Sequence, residues 1–222
     1  MKYGHSDKSY HVGRKTRRSH KYRLRRRAEE VVRAIQKHAP QSPERIIDLG
    51  TADGLGLGIV KDHFPETDCI GVEYVWDLAA TNANPDLVIM QGDANYLPTK
   101  GGTVDVVTGT AFIEHLPQPE IMLQEARRVL KPHGIIILTT PDPFWEGIAS
   151  KIGHLSPHQH PSVMDMKTLA TLLKDSGYVV LEKRKFMLSP IGMPGEGVIE
   201  DALRSFKMNF LFANQLVVGR KA

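Results

Sequence analysis

The chain has 222 residues, 41% apolar and 24% charged, with 29 basic and 25 acidic side chains and a net charge of +4. That apolar share can bury a full core, which excludes wholesale disorder. The single cysteine, Cys69, excludes an internal disulfide framework and any cysteine-only metal site. No apolar run reaches the ~20 residues of a membrane span, and no apolar stretch follows the basic start as in a secretory signal. These features predict a cytoplasmic protein, with a mitochondrial leader a minor alternative.

The charge is unevenly placed. Residues 1–27 hold 11 basic side chains and one acid, Asp7, for a local charge of +10; the other 195 residues carry −6. Residues 1–20 have no apolar period and read as an arm. From Tyr22 to His38, Leu24, Ala28, Val31, Val32 and Ile35 recur at spacings of three and four, which predicts a helix. Pro40 and Pro43 close it, so 1–43 reads as a basic arm and helix preceding a domain at 44–222.

Short β-rich runs follow at Arg45–Leu49, Cys69–Glu73, Leu87–Gln91, Val104–Thr108, Ile135–Thr139, Tyr178–Lys183 and Gln215–Arg220. Helical stretches separate them near Leu55–His63, Trp76–Thr81, Pro119–Leu130 and Met166–Ser176. Runs that are apolar throughout, such as Ile135–Leu138, suit strands covered on both faces. The alternation predicts an α/β fold, a doubly wound, seven-stranded, mostly parallel sheet. Residues 186–212 interrupt the rhythm and read as a cap insertion with a short helix at Val198–Phe212. Its Ile199, Leu203, Phe206, Phe210 and Leu211 fall on or near one face.

The run Ile46-Ile47-Asp48-Leu49-Gly50-Thr51-Ala52-Asp53-Gly54 ends a strand on an acid and enters a glycine-studded turn before a helix. Such turns open at the C-terminal ends of parallel strands, where these sheets bind ligands. Asp48 suits a cation better than a pyrophosphate. Glu73, at the next strand's end, can accept both hydroxyls of a ribose. Asp93, after the third strand, can accept from an adenine amino group while the Ala94 amide donates to the ring. Gly54-x-Gly56-x-Gly58 lacks the Gly-x-Gly-x-x-Gly spacing of dinucleotide turns, which leaves an NAD-dependent oxidoreductase as the weaker alternative.

These residues resemble the class I S-adenosylmethionine-dependent methyltransferases. Asp48–Gly54 looks like their Asp/Glu-x-Gly-x-Gly-x-Gly motif, with Ala52 in place of the middle glycine. Glu114-His115-Leu116 and Leu130-Lys131-Pro132-His133-Gly134 are similar to their later motifs, with His133 in place of a glycine. The resemblance spans about residues 44–185 and a final strand at 215–220. It implies S-adenosylmethionine as methyl donor and S-adenosylhomocysteine as product. Asp48, Gly50, Thr51, Ala52, Gly54, Glu73, Tyr74, Asp93, Ala94 and Thr110 would form the cofactor site.

No Asn-Pro-Pro-Tyr/Phe run follows the fourth strand, which argues against methylation of nucleobase amino groups. Cys69 sits in an apolar strand and reads as core packing. Histidine is the natural base near neutral pH, so His115 and His160, the latter in the cluster His154, His158 and His160, are the candidates. A metal reading of that cluster lacks a carboxylate ligand within it. Phe144, Trp145, Met187, Met193 and Met208 are candidates to line an apolar acceptor pocket. The expected acceptor is a small molecule or lipid- or saccharide-linked group, methylated at oxygen. RNA held by the arm is the alternative, and residues 1–27 also suit an anionic membrane surface.

Overall fold

A computed structural model describes residues 17–39, 41–151, 164–189 and 191–222. The first helix, α1, runs Arg18–His38, one turn earlier than its apolar period predicts. There follow β1 (Arg45–Leu49), α2 (Leu55–His63), β2 (Asp68–Glu73), α3 (Trp76–Ala79), β3 (Val88–Gln91) and β4 (Val104–Thr110). Then come a 3₁₀ turn (Ile113–His115), α4 (Pro119–Val129), β5 (Leu130–Pro141), α5 (Pro143–Lys151), α6 (Met166–Asp175) and β6 (Tyr178–Phe186). α7 (Glu196–Ser205), a second 3₁₀ turn (Asn209–Leu211) and β7 (Asn214–Lys221) complete the chain.

The seven strands form one sheet in the order β3-β2-β1-β4-β5-β7-β6. All pairs are parallel except those made by β7, which runs antiparallel between β5 and β6. Strand residues alternate between two cores. Ile46, Cys69, Val106, Ile135, Ile137, Leu216 and Val218 pack under α1 and α2. Ile47, Leu49, Val107, Ile136, Leu138 and Val217 pack under α4 and α6. Burial on both faces explains apolar runs such as Ile135–Leu138 in the central strands. Cys69 lies in this core, and burial pushes its thiol up to about 11, which suits packing rather than nucleophilic chemistry.

Apolar burial and ionic contacts both hold α1. Val31, Val32, Ala34 and Ile35 are buried against the sheet, each larger side chain contributing about 1.5–3 kcal/mol. At its C-terminus, Glu182 accepts from His38 Nε2 at 2.6 Å and from Lys37 Nζ at 3.0 Å. Burial pushes Glu182 up, but these donors and nearby Arg184 outweigh it and hold the carboxyl down to about 2. A carboxylate depressed below its unfolded pKa of about 4.3 contributes stability above that value and loses it as pH falls through the folded pKa. Wild-type stability is therefore expected to fall more steeply between about pH 4 and pH 2 than that of Glu182→Gln. Urea midpoints measured across that window check this.

The insertion differs from its sequence reading. The helix spans Glu196–Ser205 instead of Val198–Phe212. Lys207 adopts φ +58, and the amides of Lys207 and Met208 bond back to Arg204 O and Leu203 O. That arrangement ends a helix with a left-handed residue, and the chain restarts as the second 3₁₀ turn. The buried face of α7 is acidic, Glu196 and Glu200, while Val198, Ile199 and Phe206 point outward. Of the residues expected on or near one apolar face, Ile199, Phe206 and Phe210 are exposed and Leu203 and Leu211 half-buried. α5 was not foreseen, because Pro141-Asp142-Pro143 reads as a turn. Pro143 instead opens the helix, where a missing N–H costs nothing, and Asp142 Oδ1 accepts the Phe144 amide.

Candidate cofactor and acceptor site

Asp48, Glu73 and Asp93 lie at or just beyond the C-terminal ends of β1, β2 and β3, three neighbouring strands of the sheet. Asp48 is buried and accepts the Thr108 hydroxyl at 2.6 Å, which ties β1 to β4 beneath the turn. Glu73 is also buried. Its Oε2 accepts the Ala52 amide and its Oε1 the Val75 amide, both at 2.9 Å. Each oxygen of a carboxylate has a second lone pair, so Glu73 can still take two hydroxyls while clamping the turn. Asp93 Oδ1 accepts the Asn95 amide at 2.9 Å, and Ala94 beside it is buried. Tyr74 is exposed directly after Glu73, its carbonyl held by Gln91, and Thr110 ends β4.

The turn requires its glycines. Gly50 has φ +67, and a Cβ there would stand 2.3 Å from the Phe112 ring. Gly54 has φ +75, with Ile89 Cδ1 2.6 Å from the same added atom. Ala52, where the motif has glycine, adopts φ +54, and His133, in place of the later glycine, φ +65. Each is a left-handed conformation that costs an L-residue roughly 1–2 kcal/mol. The Ala52 strain is offset by its amide bond to Glu73.

The direction of the turn's amides distinguishes two kinds of ligand. Gly50 N and Thr51 N bond Val72 O, Ala52 N bonds Glu73, and Gly54 N bonds Thr51 O. A pyrophosphate cradle needs such amides turned toward the ligand. Here they are used within the fold, and the side chains grouped at the turn are acidic. That donor set fits a cationic, ribose-bearing molecule such as S-adenosylmethionine and not a dinucleotide phosphate. The buried Thr51 hydroxyl makes no hydrogen bond among the described residues.

His115 is half-buried on the first 3₁₀ turn, at the same edge of the sheet as the three acids. His154, His158 and His160 lie outside the described residues, as do residues 1–16 of the arm. Among the described residues no group of three His, Cys, Asp or Glu side chains could hold a metal ion. Of the candidate acceptor-lining residues, Phe144 is 63% exposed and stacks edge-on against Trp145, with ring centroids 5.6 Å apart. Trp145 Nε1 donates to Phe210 O at 3.1 Å. Phe144 and Trp145 form an aromatic shelf beyond the end of β5, and the Phe210 backbone closes on it. Met187, by contrast, is fully buried in the sheet core and cannot line a pocket. Phe210 and Phe112 were the contributions sequence reasoning missed; only the approach of Phe112 to Gly50 and Gly109 reveals its place.

A family model described as a methyltransferase domain matches residues 20–183, well over half of the chain. The chain belongs to this family. Its fold is that of the class I S-adenosylmethionine-dependent methyltransferases, whose donor is S-adenosylmethionine and whose product is S-adenosylhomocysteine. Two curated relatives are similar in part. A malonyl-[acyl-carrier protein] O-methyltransferase of Laribacter hongkongensis is 23% identical over 46% of this chain and 39% of its own length. A demethylmenaquinone methyltransferase of Lactobacillus johnsonii is 33% identical over 42% of each. The chain spans less than half the length of these two relatives. A SAM-dependent methyltransferase from Thermotoga maritima superposes with a TM-score of 0.66 at 18% identity, covering 96% of this chain and 99% of that one. At that identity the likeness shows the methyltransferase fold alone.

Proposed function

We propose that the chain transfers a methyl group from S-adenosylmethionine to a small-molecule or lipid-linked acceptor with an apolar body, at oxygen. The observation that carries this reading is the pair Phe144 and Trp145 just beyond β5, with exposed Phe210 bonded to Trp145 through its carbonyl, at the same C-terminal edge of the sheet as the acids. Rings left open at the C-terminal edge of such a sheet suit an acceptor with apolar surface to bury. The named acceptors of the two relatives, a carrier-linked acyl group and a quinone, are consistent with it.

S-adenosylmethionine, when bound, supplies a methyl group on a positively charged sulfur. Glu73 would hold its ribose, Asp93 and Ala94 its adenine, and Gly50 to Gly54 the close backbone wall beside Asp48. The shelf would orient the acceptor, since in-line displacement depends chiefly on alignment. His115 is the candidate base for the acceptor hydroxyl among the described residues, with His160 the second candidate.

As the base, His115 contributes roughly 10²–10⁴-fold to turnover. His115→Asn is expected to lose that factor and the acidic limb of the pH–rate profile. A variant with unchanged kcat assigns the proton elsewhere. Incubating the enzyme with methyl-labelled S-adenosylmethionine and whole-cell extract tests the acceptor class. Label is expected in the organic-soluble fraction, reduced by Trp145→Ala. Label in precipitated RNA instead would establish the alternative, an RNA methyltransferase holding its substrate through the basic arm. We further propose a cytoplasmic location, peripheral to the membrane.

A further inference from the structure

α7 is an amphipathic helix turned inside out. Its inward residues Glu196 and Glu200, one turn apart, meet Tyr22 and Arg26 of α1, also one turn apart: Tyr22 donates to Glu196, and Arg26 Nη2 to Glu200 at 2.9 Å. Arg204 adds a second donor to Glu200 at 3.1 Å. These bonds fix which side of α7 faces in. The outward stripe is therefore Val198, Ile199, Ala202 and Phe206, with Val198 77% and Phe206 76% exposed. Ile191 and Met193, in the loop that leads into α7, are exposed as well. Asp201 is the one acid of α7 on that side, and it pairs with Arg204. Isolated exposed apolar residues are ordinary, but a helix that buries its carboxylates and presents its aliphatic side is not.

Charge says what fits this face. α1 runs beside α7, and the helical period places Arg18 one turn before Tyr22, toward the Ile191–Met193 loop. Arg17, Arg18, Lys21 and Arg25 are exposed, and no acid occurs from Arg17 to Ala28. Arg25 pairs with Glu29 at 2.7 Å, so the exposed cations beyond that pair are Arg17, Arg18 and Lys21, while Glu196 and Glu200 of α7 are turned inward. An exposed aliphatic stripe with basic residues exposed on the helix packed against it is a pattern that seats in the interface of an anionic bilayer. Nucleic acid would answer the charge but leave Val198, Ile199 and Ile191 without a partner.

We propose that the outward face of α7, with the exposed basic residues at the start of α1, docks the protein on an anionic lipid surface. This surface is distinct from the cofactor site, and the proposal does not depend on which acceptor is methylated. It would bring the aromatic shelf, joined to α7 through Phe206 to Phe210, near the lipid phase.

Flotation of the full chain with vesicles tests it directly. Wild-type protein is expected to float with phosphatidylcholine vesicles containing phosphatidylglycerol and not with pure phosphatidylcholine, and to be released by high salt. Val198→Ser/Phe206→Ser removes apolar area from exposed positions, and Arg18→Gln/Lys21→Gln removes two charges. Each double variant is expected to lose roughly tenfold or more in partitioning, with thermal melting unchanged. Three results would overturn the proposal: no binding to anionic vesicles, binding that the Val198/Phe206 variant leaves intact, or a wild-type dimer that this variant dissociates in place of lipid binding. Retention on bulk RNA without vesicle binding would also contradict it.

Discussion

Replacing Arg26 by alanine is expected to lower the unfolding free energy by about 3 kcal/mol. Arg26 is buried between Glu30, at 3.2 Å, and Glu200, at 2.9 Å, and both carboxylates have almost no solvent exposure. Removing the shared partner of buried charges typically costs roughly 3–5 kcal/mol. Arg184 and Arg33 also reach Glu30, and Arg204 reaches Glu200, so the lower end applies. Chemical denaturation of the wild type and Arg26→Ala measures the difference. A change below about 1 kcal/mol would mean that the remaining arginines suffice. Arg26→Met paired with Glu200→Leu should recover part of the loss, because an apolar pair can replace a buried ionic one.

The second large effect is on cofactor affinity. Glu73→Ala is expected to weaken S-adenosylmethionine binding on the order of 100-fold. Two charge-assisted hydrogen bonds to ribose, at about 1.5 kcal/mol each, correspond to roughly two powers of ten. The same change frees the Ala52 and Val75 amides and relaxes the turn, so melting temperature should fall too. Glu73→Gln separates the two effects: it retains one acceptor oxygen and most of the packing, and should bind between wild type and alanine. Unaltered affinity in Glu73→Ala would refute the ribose assignment.

Much of the sheet was readable because its residues obey local rules. Ile135–Leu138 can only be a doubly covered strand, and Asp48–Gly54 carries its turn in glycine spacing. The final strand at 215–220 that the resemblance implies is β7, antiparallel to its neighbours. The extra length of β5, through Pro141, was not visible, because it comes from pairing with Asn214 more than seventy residues later.

The failures lie where distant segments decide. Glu196 and Glu200 look like a solvated helix face until Tyr22 and Arg26 arrive from the other end of the chain. The only sequence trace is spacing: Tyr22, Arg26 and Glu30 at intervals of four on one helix, Glu196, Glu200 and Arg204 at intervals of four on another. The amide directions in the Gly50–Gly54 turn depend on where Glu73 and Val72 O stand, which no motif prints. Phe144 and Trp145 stand out in the sequence by residue type, whereas Phe210 reaches Trp145 only through the 3₁₀ turn after α7.

The account rests on the acids at the ends of β1, β2 and β3 forming a site for a cationic, ribose-bearing donor. Calorimetric titration of the intact chain with S-adenosylmethionine, run beside an identical titration with NADH, tests that most directly. Saturable one-to-one binding of S-adenosylmethionine with no heat from NADH is the predicted result. Saturable binding of NADH with none for S-adenosylmethionine would contradict it.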